Sequence, residues 1–173
     1  IAGVRDLAGL TAIVCAAARR LTGADGATLA RCDGEACDAL GEDAISPLWR
    51  GRRFALDDCA AGRAIRQARP LLIADLVSAA LDLPELAPDT FVRGLSLVPV
   101  KHGEPLGVLG CYWAQPHHIS AEELGLQQAL ADAAAVGLAN LDLYRRLEDA
   151  RIEAEHLAQV KTVFLANLSH EIR

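Results

Sequence analysis

From Ala121 to Arg173 the chain contains no proline and only two glycines, Gly125 and Gly137. Nothing there forces a helix to stop, and at 1.5 Å per residue an unbroken helix of about 50 residues would run on the order of 80 Å. A globular domain of 173 residues cannot bury such a rod, so the sequence calls for a compact domain followed by a helical extension. The start of the rod is well marked. Ser120 followed by Glu123 reads as a capping box, with Ile119 and Leu124 spaced as a hydrophobic staple. Leu126, Leu130, Ala133, Val136 and Leu141 make its first part apolar enough to pack on the domain. After Leu143 the pattern changes: Leu147, Ala150, Ala154, Leu157, Phe164 and Leu168 fall on a/d heptad spacing, with Lys161 intruding and charged residues around them. This spacing predicts a parallel dimeric coiled coil, weak at the two alanines.

Composition narrows the function classes. Apolar residues make up 52% of the chain, yet there are only two Trp, two Tyr and three Phe, so the core must be aliphatic. A net charge of −6 offers no cation sink for nucleic acid, and none is expected as a partner. Five cysteines at irregular spacing, without a C-x-x-C pair, fit neither a disulfide framework nor a four-cysteine zinc site. They point to a reducing compartment, taken as the cytoplasm. The absence of Met suggests an interior cut from a longer protein, which leaves room for an upstream membrane tether.

Along the domain, Leu7, Leu10, Ile13, Val14, Ala17 and Leu21 recur at helical spacing and predict a helix over about 6–22, stopped at Gly23. Ala27–Cys32 reads as a strand, turned at Asp33-Gly34-Glu35 into a hairpin partner at Ala44–Arg50. Asp57 or Asp58 caps a predicted helix over Cys59–Gln67, and Leu71–Ala74 reads as a buried strand. Asp75–Arg93, with Pro84 and Pro88, reads as a loop with short helical turns. Residues 95–100 and Leu106–Ala114, joined at His102-Gly103-Glu104-Pro105, form an antiparallel hairpin that is apolar on both faces and therefore central.

Chemistry concentrates at the end of the rod. Phe164-Leu165-Ala166-Asn167-Leu168-Ser169-His170-Glu171-Ile172-Arg173 places an imidazole beside a carboxylate, next to the predicted seam. Neutral imidazole is a competent phosphoryl acceptor, but a helical His beside Glu is more often a solvated pair. The decapeptide resembles the phosphoacceptor box of bacterial sensor histidine kinases at every position present. That resemblance implies that His170 is the autophosphorylated residue and Glu171 the assisting acid or base. It also implies a homodimer through the C-terminal helix, a response regulator or phosphotransfer domain as partner, and a catalytic domain outside these residues that binds ATP and Mg. This fragment alone should be inactive and needs no cofactor of its own.

The preceding residues resemble a GAF domain. The resemblance rests on the element order, on Gly62-Arg63-Ala64, Arg69-Pro70-Leu71-Leu72-Ile73-Ala74 and Ser96-Leu97-Val98-Pro99-Val100, and on Gly103–Leu109 and Ala139–Tyr144. It implies an α+β fold with a central antiparallel sheet flanked by helices, spanning residues 1–145, with the coiled-coil signalling helix and phosphoacceptor start at 146–173. Bilin-binding members use a Cys-His pair that Asp75–Arg93 lacks, although Asp82-Leu83-Pro84 is similar to the phytochrome Asp-Ile-Pro motif. The Asn-Lys-Phe-Asp-Glu signature of cyclic-nucleotide binders is also absent. His102 and the pair His117-His118 are expected to be solvated, with no metal site. For a small-molecule ligand the candidates are Cys59, in the first turn of its helix where the dipole lowers a thiol pKa, and Arg63 one turn on. Cys15 and Cys111 are expected to be buried packing residues, and a bridge between Cys32 and Cys37 is disfavoured in a cytosol.

The resulting expectation is the sensory input segment of a two-component histidine kinase. The alternative is a GAF module without ligand that serves only dimerisation or scaffolding.

Overall fold

The structure, a computed structural model, describes residues 6–79 and 90–173. Pro84, Pro88 and Asp82-Leu83-Pro84 lie outside the described residues. The elements are α1 (Leu7–Thr22), β1 (Gly26–Cys32), β2 (Ala36–Ala44), β3 (Arg53–Ala55), a 3-10 turn at Leu56–Asp58, α2 (Ala60–Gln67), β4 (Leu71–Ile73), α3 (Leu76–Ala79), β5 (Gly94–His102), β6 (Glu104–Trp113) and α4 (Ala121–Glu171). The chain divides into two compact units, Ile1–Leu138 and Ala139–Arg173.

In the first unit one sheet runs β3-β2-β1-β6-β5-β4, and every neighbouring pair is antiparallel. The β5–β6 hairpin is long because Leu95, Val98, Val100, Val108, Leu109 and Cys111 are buried on both of its faces, and such a ribbon is stable only in the middle of a covered sheet. Asp6 caps α1 by accepting the Gly9 N–H, and Gly23 ends it at φ 66°, where a residue without Cβ is unstrained. The buried face of α1, with Leu10, Val14, Cys15 and Ala18, packs on β1 and β2. Gly41 of β2 permits this contact, since a Cβ there would lie 2.7 Å from Thr11 Cγ2.

Three expectations change. The partner of β1 is Ala36–Ala44, not Ala44–Arg50: Asp33 Oδ1 accepts the N–H groups of Glu35 and Ala36, which returns the chain at once. Residues 45–50 then wrap around Glu42, whose carboxylate accepts the N–H groups of Leu48, Trp49 and Arg50. Second, Cys32 and Cys37 are disulfide-bonded, because the register sets them directly opposite one another with Cα atoms 4.1 Å apart. Third, Val136 was expected to pack inward but is 51% exposed. The inward face of α4 in this unit carries Gln127, Ala131, Ala134, Ala135 and Leu138 instead. The capping box forms as expected, with Ser120 Oγ accepting the Glu123 N–H and Glu123 Oε2 accepting the Ser120 N–H.

Helix α2 ends on Ala68 at φ 52°, in the left-handed region that disfavours any residue with a Cβ. Its N–H still reaches the Ala64 and Ile65 carbonyls. Ala68→Gly should therefore stabilise the domain by about 1 kcal/mol, read as a raised melting temperature with unchanged far-UV dichroism.

Candidate functional site: a small apolar cavity and an exposed histidine

Between the sheet and the start of α2 lies a cavity of about 50 Å³. Its walls come from β1 (Thr28, Ala30), β2 (Cys37, Ala39), β3 (Phe54), the segment Cys59–Ala61, β5 (Leu95, Leu97) and β6 (Val108, Tyr112), with Trp49 from the connection after β2. Alternation along β6 sends Val108 and Tyr112 to this side and Leu109 and Cys111 to the other. The lining is apolar apart from the hydroxyls of Thr28 and Tyr112, which share a hydrogen bond of 3.0 Å. Trp49 meets Tyr112 edge-on, with ring centroids 4.9 Å apart. A cavity that holds a benzene ring measures about 150 Å³. This one takes a ligand of a few heavy atoms unless side chains move aside.

Cys59 is placed in this wall, but not as its expected role required. Neither Asp57 nor Asp58 caps α2; Cys59 is itself the N-cap, its Sγ accepting the Gly62 N–H at 3.4 Å. The thiol also lies 3.9 Å from the Leu56 carbonyl oxygen, and the residue is 4% exposed. Arg63 is one turn on, and its backbone N–H donates to the Cys59 carbonyl. Asp57 instead pairs with Arg66. Cys15 and Cys111 are buried away from the cavity, and burial pushes both thiols up to about 12, so they stay protonated and inert near neutral pH.

His117 is not merely solvated. It stacks on Trp113 at 4.3 Å and pairs with Glu123 at 2.7 Å. Among the described residues no group of three or more His, Cys, Asp or Glu could hold a metal ion.

His170 and Glu171 lie in the second unit, on the last turn of α4, and both are exposed. Successive residues on a helix turn by about 100°, so Glu171 does not share the face of His170. The same arithmetic corrects the expected position of His170 relative to the Leu147–Leu168 seam. It falls about 170° around the helix from the centre of that seam, not beside it. It continues the stripe of a shallow groove lined by His156, Gln159, Val160, Val163, Phe164 and Asn167, which borders the seam at Phe164. Leu147, Leu157, Phe164 and Leu168 of the seam are all exposed.

Sequence reading missed Thr28, Trp49 and Tyr112 as cavity walls, and Gln127 as a core residue. Tyr112 was findable from the two-residue alternation of its strand. Trp49 was not, because it sits in an irregular segment without a period.

The sequence profile of the GAF domain matches residues 4–139. The chain belongs to the GAF domain family. Among solved structures it is similar to the GAF-B domain of DevS from Mycobacterium smegmatis, at 25% identity and TM-score 0.67, covering 82% of this chain and 99% of that one. The GAF domain of a phosphoenolpyruvate-protein phosphotransferase from Coxiella burnetii shares the fold at 22% identity and TM-score 0.72, covering 84% and 89%. So does the cyanobacteriochrome TePixJ GAF domain, at 20% identity and TM-score 0.67, covering 82% and 94%. No curated protein matches the chain. GAF domains are sensory and signalling modules, and the cavity here lies wholly within the matched residues. His170 lies outside them. Among the described residues no helix is long and apolar enough to cross a membrane.

Proposed function

We propose that this chain is the sensory input segment of a two-component sensor histidine kinase, in which the GAF domain passes its signal along α4 to His170. The observation that carries this reading is continuity. One uninterrupted helix, Ala121–Glu171, carries Gln127, bonded to the sheet, and ends on the Phe164–Arg173 sequence that resembles the phosphoacceptor box. A change at the sheet then has a route to the histidine through the Gln127 hydrogen bonds and the backbone of that helix.

The imidazole of His170 attacks the γ-phosphorus of ATP presented by a separate catalytic domain with its Mg. An N–P bond forms, the P–O bond to ADP breaks, and the imidazole proton leaves to an acidic group, for which Glu171 on the adjoining face is the candidate that the resemblance supplies. The phosphoryl group then passes to a response regulator or phosphotransfer domain. Two chains pair in parallel through the Leu147–Leu168 seam, and since His170 points about 170° away from that seam, pairing leaves it open to both partners. Weak packing at Ala150 and Ala154 gives the pair alternative rotations to switch between. The protein works in the cytoplasm.

The test is phosphoryl transfer. In a protein extended past Arg173 through an ATP-binding domain, label from γ-labelled ATP should enter as an acid-labile, alkali-stable adduct. It should vanish in His170→Gln. Retention of label in that variant would sink the assignment. The small volume of the cavity, about 50 Å³, favours a second reading, a ligand-free GAF module for dimerisation alone. Under it the extended wild-type protein dimerises and takes up no label.

A further inference from the structure

Two sulfur features converge on the cavity. Cys37, 2% exposed, and Cys59, 4% exposed, stand in the same wall, and Cys37 is bridged to Cys32. Cys32 is half-buried at the end of β1, where the hairpin reaches solvent through the exposed residues Asp33, Gly34 and Glu35. The bridge therefore has one sulfur near the surface and one at the cavity.

The bridge adds little constraint to this hairpin. Its cysteines are five positions apart, and the strands are already closed by a short loop, by the ladder and by the Asp33 side chain. Cross-links that close short loops restrict the unfolded chain least. The hairpin can therefore persist when the bond opens. What changes is the cavity wall. Cys37 lies opposite Phe54 on β3, a three-residue edge strand that leads directly through Leu56–Asp58 to Cys59.

We propose that Cys32 and Cys37 form a reversible thiol–disulfide exchange site for low-molecular-weight thiols and their disulfides, and that its state sets the lining of the GAF cavity. A thiolate RS⁻ attacks Cys32 Sγ. The new bond joins Cys32 to RS, the Cys32–Cys37 bond breaks, and the electron pair goes to Cys37 Sγ, which takes up a proton. A second RS⁻ attacks the sulfur of the bound RS group, forming RSSR and releasing Cys32 as a thiol. Two RSH are oxidised to RSSR while the protein disulfide is reduced to two thiols; RSSR drives the reverse. In the reduced state the wall carries two thiols, at Cys37 and Cys59, in place of one thiol and one bridged sulfur. A reducing compartment holds the site open, and oxidised thiol closes it. This concerns the input end alone and stands whether or not His170 accepts phosphate.

The test equilibrates the folded 173-residue chain in reduced and oxidised glutathione at graded ratios. It is then quenched with acid, alkylated after denaturation and peptide-mapped by mass. Modification of Cys32 and Cys37 should pass together from none to complete, reversibly, while the chain keeps its dichroism and cooperative melting. In a Trp113→Phe background, Trp49 emission should shift with the same midpoint, and adding Cys32→Ser should fix it at the reduced signal at every ratio. A bond that resists millimolar thiol until the chain unfolds would make the bridge a permanent staple and overturn the proposal. So would a Trp49 signal that stays constant while the bond opens and closes in the wild-type wall.

Discussion

Gly62→Ala should destabilise the domain by about 2–3 kcal/mol, although alanine is favoured over glycine in a helix by about 1 kcal/mol. A Cβ at Gly62 would lie 1.7 Å from the Leu56 carbonyl oxygen and 2.7 Å from its carbonyl carbon. Those are backbone atoms, so no rotamer relieves the overlap. The Leu56 segment is also tied in place, its N–H bonded to the Glu35 carbonyl at 2.8 Å. Moving it would pull Cys59 off the α2 cap and open the cavity wall. At 2–4 °C per kcal/mol for a chain of this size, melting should fall by roughly 5–10 °C. Gly125 supplies the control, because it is helical with nothing within 4 Å of its missing Cβ, so Gly125→Ala should stabilise by about 1 kcal/mol. Thermal and urea melts of both variants decide the matter. A Gly62→Ala protein as stable as wild type would show that α2 sits further from Leu56 than described.

Gln127→Leu should cost a similar amount, about 3 kcal/mol. Gln127 is completely buried and fully engaged: Oε1 accepts from Ser96 Oγ at 2.6 Å, and Nε2 donates to the carbonyls of Ser96 at 3.0 Å and Leu109 at 2.8 Å. Leucine fills similar volume but strips one hydroxyl and two strand carbonyls of these partners inside the core. Ser96→Ala removes one of the three bonds and should cost about 1 kcal/mol. The two should couple in a double-mutant cycle, since they share that bond. If Gln127→Leu were neutral or stabilising, α4 would be held to β5 and β6 by apolar packing alone. The proposed route from sheet to histidine would then lose its hydrogen-bonded link.

The elements that were legible from the sequence are those whose cause is local. Gly23 stops α1, Ser120 and Glu123 open α4, and the β5–β6 hairpin turns at Gly103. Each depends on residues a few positions apart, or on two apolar runs flanking a turn, so the string of letters contains the reason. The second hairpin shows the limit. Its turn was visible at Asp33-Gly34-Glu35, but its partner strand was misplaced, because what bends residues 45–50 away is Glu42 collecting three distant N–H groups. Val136 was read inward and Gln127 was passed over for a related reason. Hydrophobicity favoured the valine for the core, whereas the two strand carbonyls and the Ser96 hydroxyl waiting on the sheet select the glutamine.

The candidate site divides the same way. His170 and Glu171 are proposed from the resemblance of a contiguous decapeptide, which does not display their faces, since the side of a helix on which a residue lies is angular arithmetic over several turns. Cys59 was found as a helix-start cysteine, but the cap was assigned to Asp57 or Asp58 instead of to Cys59 itself, because capping depends on where the preceding 3-10 turn ends.

By itself the sequence determined the α+β class and the helical rod without breakers, both properties of neighbouring residues, and it carries the resemblance on which the proposed role of His170 rests. Only the tertiary structure decided that Cys32 faces Cys37, that Gln127 replaces Val136 in the core, and that Thr28, Trp49, Cys59 and Tyr112 share one cavity. Those relations join residues far apart in the chain through strand register and packing, where an offset of one residue reverses which side chains point inward.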